Sequence, residues 1–551
     1  MKIGPRLKTT RKFIGTAHWC LLLSVAVLAT SCATRRLDVA APSYSENSAI
    51  CTTNECSNGE LLRGGFGFLE AAARAIESNR DEVRRILHRV DSTKGADYEI
   101  QQAIKTLRGA EAAEGKDLLG SRNIGRLAVY GSTNIPLYTL VLHVLVPSVR
   151  AENISFRTAT VTRATYRDLW LLLKSELEKE FPGFATGIDV ITEGGDLDFD
   201  VFRQVHLAGL GGNKKATFRR DPAEMVIFTG NMEKGRLLIE KYKSTLKTRA
   251  ERGRFNTYMN QTLGGKRKPN LETVFIMFGA GHNPMFLTST SSREELQTAV
   301  EATVEPVLIN GSQDCIVPNF LVVHEAVVED FVKNLRESLG KLRFGQKTAE
   351  DTDYSELTFE GKWLQLPAFI SANKEFLRHG SDAIVNVISR RVDPMVFVFP
   401  MRKFLDGSVP LQEWFAPVTT VFTYSNAQEA LSLIRDPRVL KKSMLASVFG
   451  NKESPEFIAI DDELAKTQHT VFHNESVFAA EDGNKPFGGS SRDAAAIFNI
   501  KVNPYVLSHP DSSDLTAPVA IPAQIKENLF KMSEVNKPVL FSKQLREYFP
   551  R

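Results

Sequence analysis

The chain has 551 residues, 42% of them hydrophobic and 24% charged, with a formal net charge of +4. That length exceeds what one hydrophobic core organises and asks for two or three domains. The composition is that of a soluble globular protein, and the small cationic excess forms no basic stripe with interleaved aromatics, which excludes nucleic acid as an expected partner.

The start, MKIGPRLKTTRKFIG, carries Lys2, Arg6, Lys8, Arg11 and Lys12 and no acid, and leads into the apolar WCLLLSVAVLA and then TSCATRR. A basic start, an apolar segment too short to span a bilayer comfortably and small residues before a cysteine describe a secretory signal. LATSC resembles a bacterial lipobox, in which Cys32 becomes the lipidated first residue. Residues 1–32 are therefore expected to be a signal peptide, and the mature chain a lipoprotein held to the membrane of a bacterial cell envelope. The alternative is an uncleaved anchor with the body in the cytoplasm. Residues 33–60, rich in Ser, Thr, Asn and Ala, read as a flexible tether. Cys51 and Cys56 are close enough to close a small disulfide loop in an oxidising compartment, or else remain thiols in that tether. Of five cysteines, only Cys315 is left in the body of the chain.

Two helical patterns follow, FLEAAARAIESNRDEVRRILHRV and YEIQQAIKTLRG, with apolar residues three and four apart. Short β-like runs then alternate with helices. GRLAVYG, ENISFRT, DVITEGG and EMVIFTG read as strands; PLYTLVLHVLVPSVRA, YRDLWLLLKSELEKEF and MEKGRLLIEKYKSTLK read as helices. A second series starts at ETVFIMFG, with AVEATVEPVLI and VEDFVKNLRESLGKL as helices and FLVVH and PVTTVFTY as strands. This alternation predicts parallel sheets with helices on their faces, an α/β protein. The Pro-punctuated end reads as an arm, an added strand or a loose tail.

Segments of chemical interest then line up in one order: GSTNIPLYTLVLHVLVPSVRAEN, ISFRTAT, FTGNMEKG, NGSQDC, EWFAPV and KPFGGSSRD. In that ordered set, from about residue 61 to 500, the chain resembles the aldehyde dehydrogenase superfamily. The resemblance implies a Rossmann-like nucleotide-binding domain over 61–276, an α/β catalytic domain over 277–495 and a C-terminal arm or tail over 496–551. It also implies NAD(P) as cofactor, an aldehyde or acyl thioester as substrate, and a homo-oligomer.

Residue by residue, Asn134 stands where the family's Asn-x-Pro segment supplies an amide to the oxyanion formed when a thiolate attacks a carbonyl, a place where a fixed donor has a large effect. The bland reading of Asn134 is a helix cap. Cys315, in NGSQDC, stands in the place of the family's nucleophile, against the bland reading of inert core. There Ser312 replaces a glycine, and Asp314 sits beside the thiol, where a carboxylate would raise its pKa. Gly230, Asn231 and Gly235 occupy the turn under the cofactor pyrophosphate, where bare backbone and a helix N-terminus favour phosphate. Arg157 takes the place of a Lys, with Thr160 where NAD-preferring members often carry an acid, so the reading leans to NADP. Glu413 and Phe415 take the places that grip the nicotinamide ribose and brace the ring, and Phe487 lies near the substrate path.

One departure stands out. Hydrolytic members have Glu-Leu-Gly-Gly-Lys-x-Pro where this chain reads FIMFGAGHNP. Matched on Asn283 and Pro284, the water-activating Glu falls on Phe278, and a phenyl ring accepts no proton. GAGHNP and STNIP are nearer in spelling to the CoA-acylating branch, in which a thiol such as CoA resolves the thioester. Because CoA and nicotinamide nucleotides belong to the cytoplasm, the export signal favours a runner-up: a membrane-tethered pseudoenzyme that uses the fold as a binding or structural module.

Overall fold

Apolar runs without alternation need cover on both faces, as in parallel sheets. Among the residues described by the computed structural model, 61–114, 123–209, 222–251, 272–279, 281–467, 469–484 and 494–501, such runs build two sheets. Cys32, Cys51, Cys56 and Phe487 lie outside the described residues. No helix among the described residues is long and apolar enough to cross a membrane.

The first sheet contains β1 (Ile124–Tyr130), β2 (Ala151–Arg157), β3 (Ile188–Ile191), β4 (Met225–Thr229), β5 (Glu272–Phe278) and, from the chain's end, β15 (Ala495–Lys501). Its order is β15-β5-β4-β1-β2-β3, parallel except for β15. The second contains β6 (Pro284–Leu287), β7 (Phe320–His324), β8 (Leu377–His379), β11 (Met395–Pro400), β12 (Val418–Tyr424), β13 (Leu445–Phe449) and β14 (Thr470–His473). Its order is β14-β13-β6-β7-β12-β11-β8. Between β8 and β11 lies a small hairpin of β9 (Val385–Asn386) and β10 (Arg391–Val392).

Two boundaries differ from the sequence reading. ETVFIMFG does not open the second series: β5 pairs along its length with β4 and β15 in the first sheet, so a cut at 276/277 would sever a strand. The C-terminal region is not all arm or tail, because Ala495–Lys501 is that sheet's antiparallel edge strand. Periodicity could not assign either segment, since a short apolar run looks alike whichever sheet receives it.

Three helices, Phe66–Ser78, Arg80–Leu87 and Thr93–Glu114, bury their apolar faces in the core over the first sheet. They are entered through Arg63, whose guanidinium donates to the carbonyls of Phe184, Ser148, Ala151, Glu152 and Thr186. Burial pushes its pKa down to about 10, against the pull of Glu152. Arg63→Ala is expected to lower unfolding free energy by about 3 kcal/mol, because carbonyls lose a charged donor. Arg63→Lys should recover only part of it, an ammonium having three donors and no planar fork. Urea titration of the two variants checks both.

Buried histidines precede two strands of the second sheet. His282, before β6, is pushed down to about 4 by burial and by Lys442. His469, before β14, is pushed down to about 3 by burial and by His282. Both rings stay neutral in the fold while an unfolded histidine takes a proton near pH 6.5. Their contribution is therefore complete above about pH 6.5 and is lost as pH falls from there towards 4, at about 1.4 kcal/mol per pH unit for each ring. Urea midpoints measured from pH 7 to 4 should fall, and His469→Gln should flatten that limb by one proton's worth.

Candidate active site

From β1 the chain runs to β2 and β3 on one side and to β4 and β5 on the other, so the carboxyl ends of β1 and β4 flank the point where open α/β sheets bind ligands. In register, Tyr130 lies beside Arg157 and Phe228, so the turns after all three strands open at this edge. Those turns carry Asn134, Thr158 and Gly230.

Asn134 is half-buried in the turn before the helix Pro136–Leu140, which continues through a π turn over Val141–Leu145. That helix starts with Pro136 at its first position, and its N-cap, Ile135, offers no side-chain bond. Asn134 is thus not the helix cap, and its amide makes no hydrogen bond among the described residues. The turn is held from behind: the Tyr166 hydroxyl donates to the Ser132 carbonyl at 2.8 Å, and the Ser132 and Thr139 hydroxyls are 2.6 Å apart.

The turn expected to lie under phosphate is partly engaged by the protein itself. Gly230 has φ 150° and is exposed. Asn231 caps the next helix, its Oδ1 accepting from the amides of Glu233 and Lys234 at 2.9 and 3.1 Å, so two first-turn donors are already engaged. Gly235 is a correction. A Cβ there would lie 1.7 Å from Met277 Cε and 3.1 Å from Phe228, so this glycine lets helix and sheet approach each other rather than opening backbone to a ligand. Arg157 is half-buried. Its Nε donates to the Leu197 carbonyl at 2.7 Å and its guanidinium lies 5.6 Å from the Phe199 ring centre.

The cysteine loop follows a strongly specified helix. Arg293–Asn310 starts with a capping box between Ser292 and Glu295. It ends in two left-handed residues, Gly311 at φ 64° and Ser312 at φ 62°. Ser312 is buried, and its amide donates to the Pro306 carbonyl at 2.8 Å, closing the helix end. Serine is strained where a glycine would not be. Gln313 then fixes the loop to the segment beyond it: its amide donates to the Phe359 carbonyl at 3.0 Å and accepts from the Thr358 N–H at 2.7 Å.

Cys315 is half-buried and packs against the core of the first sheet. Its backbone is held by Asn283, a residue the sequence reading used only as an alignment point. Asn283 Nδ2 donates to the carbonyls of Cys315 at 2.7 Å and Val317 at 3.0 Å. Its Oδ1 accepts from Leu445 N–H, and its own N–H donates to Asn319 Oδ1. An asparagine 1% exposed has to place all these groups, and a lone Asn before the apolar PMFL was the available signal. Asp314 is buried and turns one oxygen to the Ile316 N–H at 3.3 Å.

Beside this loop opens a cleft lined by Ser312, Asp314, Pro318, Glu413, Trp414 and Phe415. Segments a hundred residues apart in sequence therefore meet, as the motif order implied. Phe415 takes a left-handed φ of 52° and meets Phe359 at 6.4 Å between ring centres. Glu413 Oε1 is shut off from solvent and has no hydrogen-bond partner. Burial pushes its pKa up to about 8, with Lys442 opposing and Asp314 adding to the rise. An unfilled carboxylate acceptor at this place fits a sugar hydroxyl.

Phe278 ends β5, 4% exposed, and its ring stacks on His143 at 6.1 Å. It is packing, and it offers nothing to a water.

With this geometry, comparison is informative. Residues 267–493 match the model of the Aldehyde dehydrogenase family. A lactaldehyde dehydrogenase of Methanococcus maripaludis is 24% identical over 283 residues, 51% of this chain and 52% of that protein. A 4,4'-diaponeurosporen-aldehyde dehydrogenase of Staphylococcus aureus is 21% identical over 243 residues, 44% of this chain and 50% of that protein. The chain thus spans about half the length of the curated relatives it matches. In fold, a glyceraldehyde-3-phosphate dehydrogenase of Methanocaldococcus jannaschii complexed with NADP aligns over 79% of this chain and 88% of its own, at TM-score 0.57 and 17% identity. A succinic semialdehyde dehydrogenase of Streptococcus pyogenes in complex with NADP+ aligns over 78% and 84%, at TM-score 0.58 and 15% identity. The fold is that of these solved dehydrogenases, and the matched segment, 267–493, is similar to the Aldehyde dehydrogenase family.

Two substitutions test how the loop is held. Asn283→Asp keeps the shape but sets a carboxylate oxygen against two carbonyls, and should cost about 3 kcal/mol while speeding alkylation of Cys315. Ser312→Gly should stabilise by about 0.5 kcal/mol through relief of the left-handed serine. Urea titration reads both, and timed iodoacetamide labelling reads the first.

Proposed function

We propose that the protein is an NAD(P)-dependent oxidoreductase acting on aldehyde groups through Cys315, with the acyl group leaving to a thiol rather than to water. The observation that carries this reading is the cleft in which Glu413, with an unpartnered buried oxygen, and Phe415 face the loop of Cys315.

Cys315 adds as thiolate to the aldehyde carbon, forming a C–S bond and leaving the carbonyl oxygen negative. The Asn134 amide and the Cys315 N–H stabilise that oxygen. Glu413 and Phe415 would hold the ribose and ring of a nicotinamide nucleotide, with Arg157 and the Gly230–Asn231 turn towards its other end. Bound there, such a nucleotide supplies the acceptor for the hydride that converts the thiohemiacetal to a thioester. The thioester is then attacked by an external thiol, CoA or a chemical equivalent, which releases the Cys315 thiolate. Phe278 supports that route over hydrolysis, since no base stands at its position to activate water. Thr160, where an acid three residues after Arg157 would favour the bare ribose, supports NADP over NAD.

A second reading has its own support. Asn231 engages two amides at the helix start, and Gly235 is filled by Met277, so the pyrophosphate turn is less open than a nucleotide site needs. On that reading the protein is a scaffold or binding module, tethered to the cell envelope through Cys32.

Thermal melts with NADP, with NAD and with neither separate the two. A ligand that binds only the folded state at a hundred times its Kd adds about 2.7 kcal/mol and raises Tm measurably. The enzyme reading expects a shift; no shift at millimolar nucleotide supports the scaffold. Cys315→Ala should abolish turnover and keep the shift. Because Glu413 ionises only as pH rises through about 8, and an ionised carboxylate is the better acceptor for a hydroxyl, the shift should be larger at pH 9 than at pH 7. Glu413→Gln should remove that difference.

A further inference from the structure

The helix Pro136–Leu140 that follows Asn134 lacks a side-chain cap of its own, and the amide of its third residue, Tyr138 N–H, is taken by a residue from another helix: Glu99 Oε1 accepts it at 2.9 Å. Glu99 is 2% exposed, and its other oxygen, Oε2, is buried without a hydrogen-bond partner. A carboxyl in such a place is costly unless it organises something.

What it organises can be followed along the helix Thr93–Glu114. One turn before Glu99, Gly95 lies against the end of the helix that carries the cysteine loop: a Cβ there would sit 1.7 Å from the Ile309 carbonyl oxygen. Ser92 Oγ donates to the neighbouring Leu308 carbonyl at 3.1 Å. Within its first two turns the same helix thus touches the chain just ahead of Gly311 and holds the chain just after Asn134. Tyr138 is gripped twice, since its hydroxyl donates to Glu481 Oε1 at 3.2 Å. Gly483, two residues on, lies where a Cβ would be 2.8 Å from that hydroxyl.

The geometry points to Glu99 as a positioning residue that sets the Asn134 amide at the distance from Cys315 needed to stabilise a developing oxyanion. This rests on the reading of Cys315 and Asn134 given under the proposed function. Glu99 acts through Tyr138 and the helix start, and touches no reacting atom. Burial, together with Asp91 and Asp314, holds its carboxyl well above the usual range, while the Tyr138 and Leu137 amides oppose the rise. The neutral acid is what a glutamine imitates: Oε1 still accepts from Tyr138 N–H, and the amide nitrogen replaces the protonated oxygen.

The test needs neither turnover nor nucleotide. A short aldehyde added to the full chain should protect Cys315 from iodoacetamide by forming the thiohemiacetal, whose oxyanion character depends on Asn134. The concentration for half-protection is read by labelling and mass spectrometry of the Cys315 peptide. Glu99→Ala should raise it at least tenfold, as Asn134→Ala should, and the double variant should be no worse than Asn134→Ala alone. Glu99→Gln should recover most of the protection, which a loss of bulk packing would not allow. Tyr138→Phe, which keeps the backbone bond and removes the Glu481 contact, gives a second reading if Glu99→Ala does not fold; it should raise the value by less than tenfold. Unchanged protection in Glu99→Ala, or an equal loss in Glu99→Ala and Glu99→Gln, overturns the inference while leaving the site reading intact. With Glu99→Ala unfolded, an equal loss in Glu99→Gln and Asn134→Ala overturns it as well. Absence of protection in the unaltered chain at any aldehyde concentration overturns both.

Discussion

The site depends on one buried amide. Asn283 joins the start of β6 to the start of β13 and, with both its amide hydrogens, holds the carbonyls on either side of the loop from Cys315 to Val317. A loop this close to a core has no water to satisfy its carbonyls, so the side chain that does so also fixes where the thiol stands. Gln313 repeats the device at the loop's other end by joining it to Thr358 and Phe359. Between them the loop of a half-buried cysteine is fixed beside a cleft that its neighbours Asp314 and Val317 line.

Around that point the architecture brings together residues far apart in sequence. The first sheet places Asn134 and Gly230 at its switch point. The second delivers Glu413 and Phe415 to the cleft beside the cysteine loop. The helix Thr93–Glu114 braces the helix ends on both sides. Electrostatics at the site are those of crowded carboxyls: Glu413, Asp91 and Glu99 all sit above their ordinary range, burial being the first cause and Asp314 a shared one.

Much of this was legible in the sequence because it is local. Alternation of apolar runs with helical patterns gave the α/β class, and the ordered motifs singled out Cys315, Asn134, Glu413 and Phe415 as candidates without any contact being known. What was not legible depends on tertiary partners. Gly235 looked like a phosphate glycine because spacing cannot tell whether a missing side chain faces a ligand or Met277. The strand Ala495–Lys501 stayed open between arm, added strand and tail because an edge strand owes its pairing to β5, more than two hundred residues earlier. Glu99 gave no signal, since a glutamate in a helical pattern reads as a solvated face until a distant amide is seen to need it.

The most direct measurement is the mass of Cys315 after aldehyde and NADP are added to the full chain with no thiol present. With a phenyl ring at 278, that position supplies no base for hydrolysis, so on the proposed reading the thioester should accumulate: the Cys315 peptide gains one acyl group, one equivalent of nucleotide is reduced, and adding CoA discharges the peptide. A Cys315 peptide of unchanged mass, with no nucleotide reduced, would contradict the account.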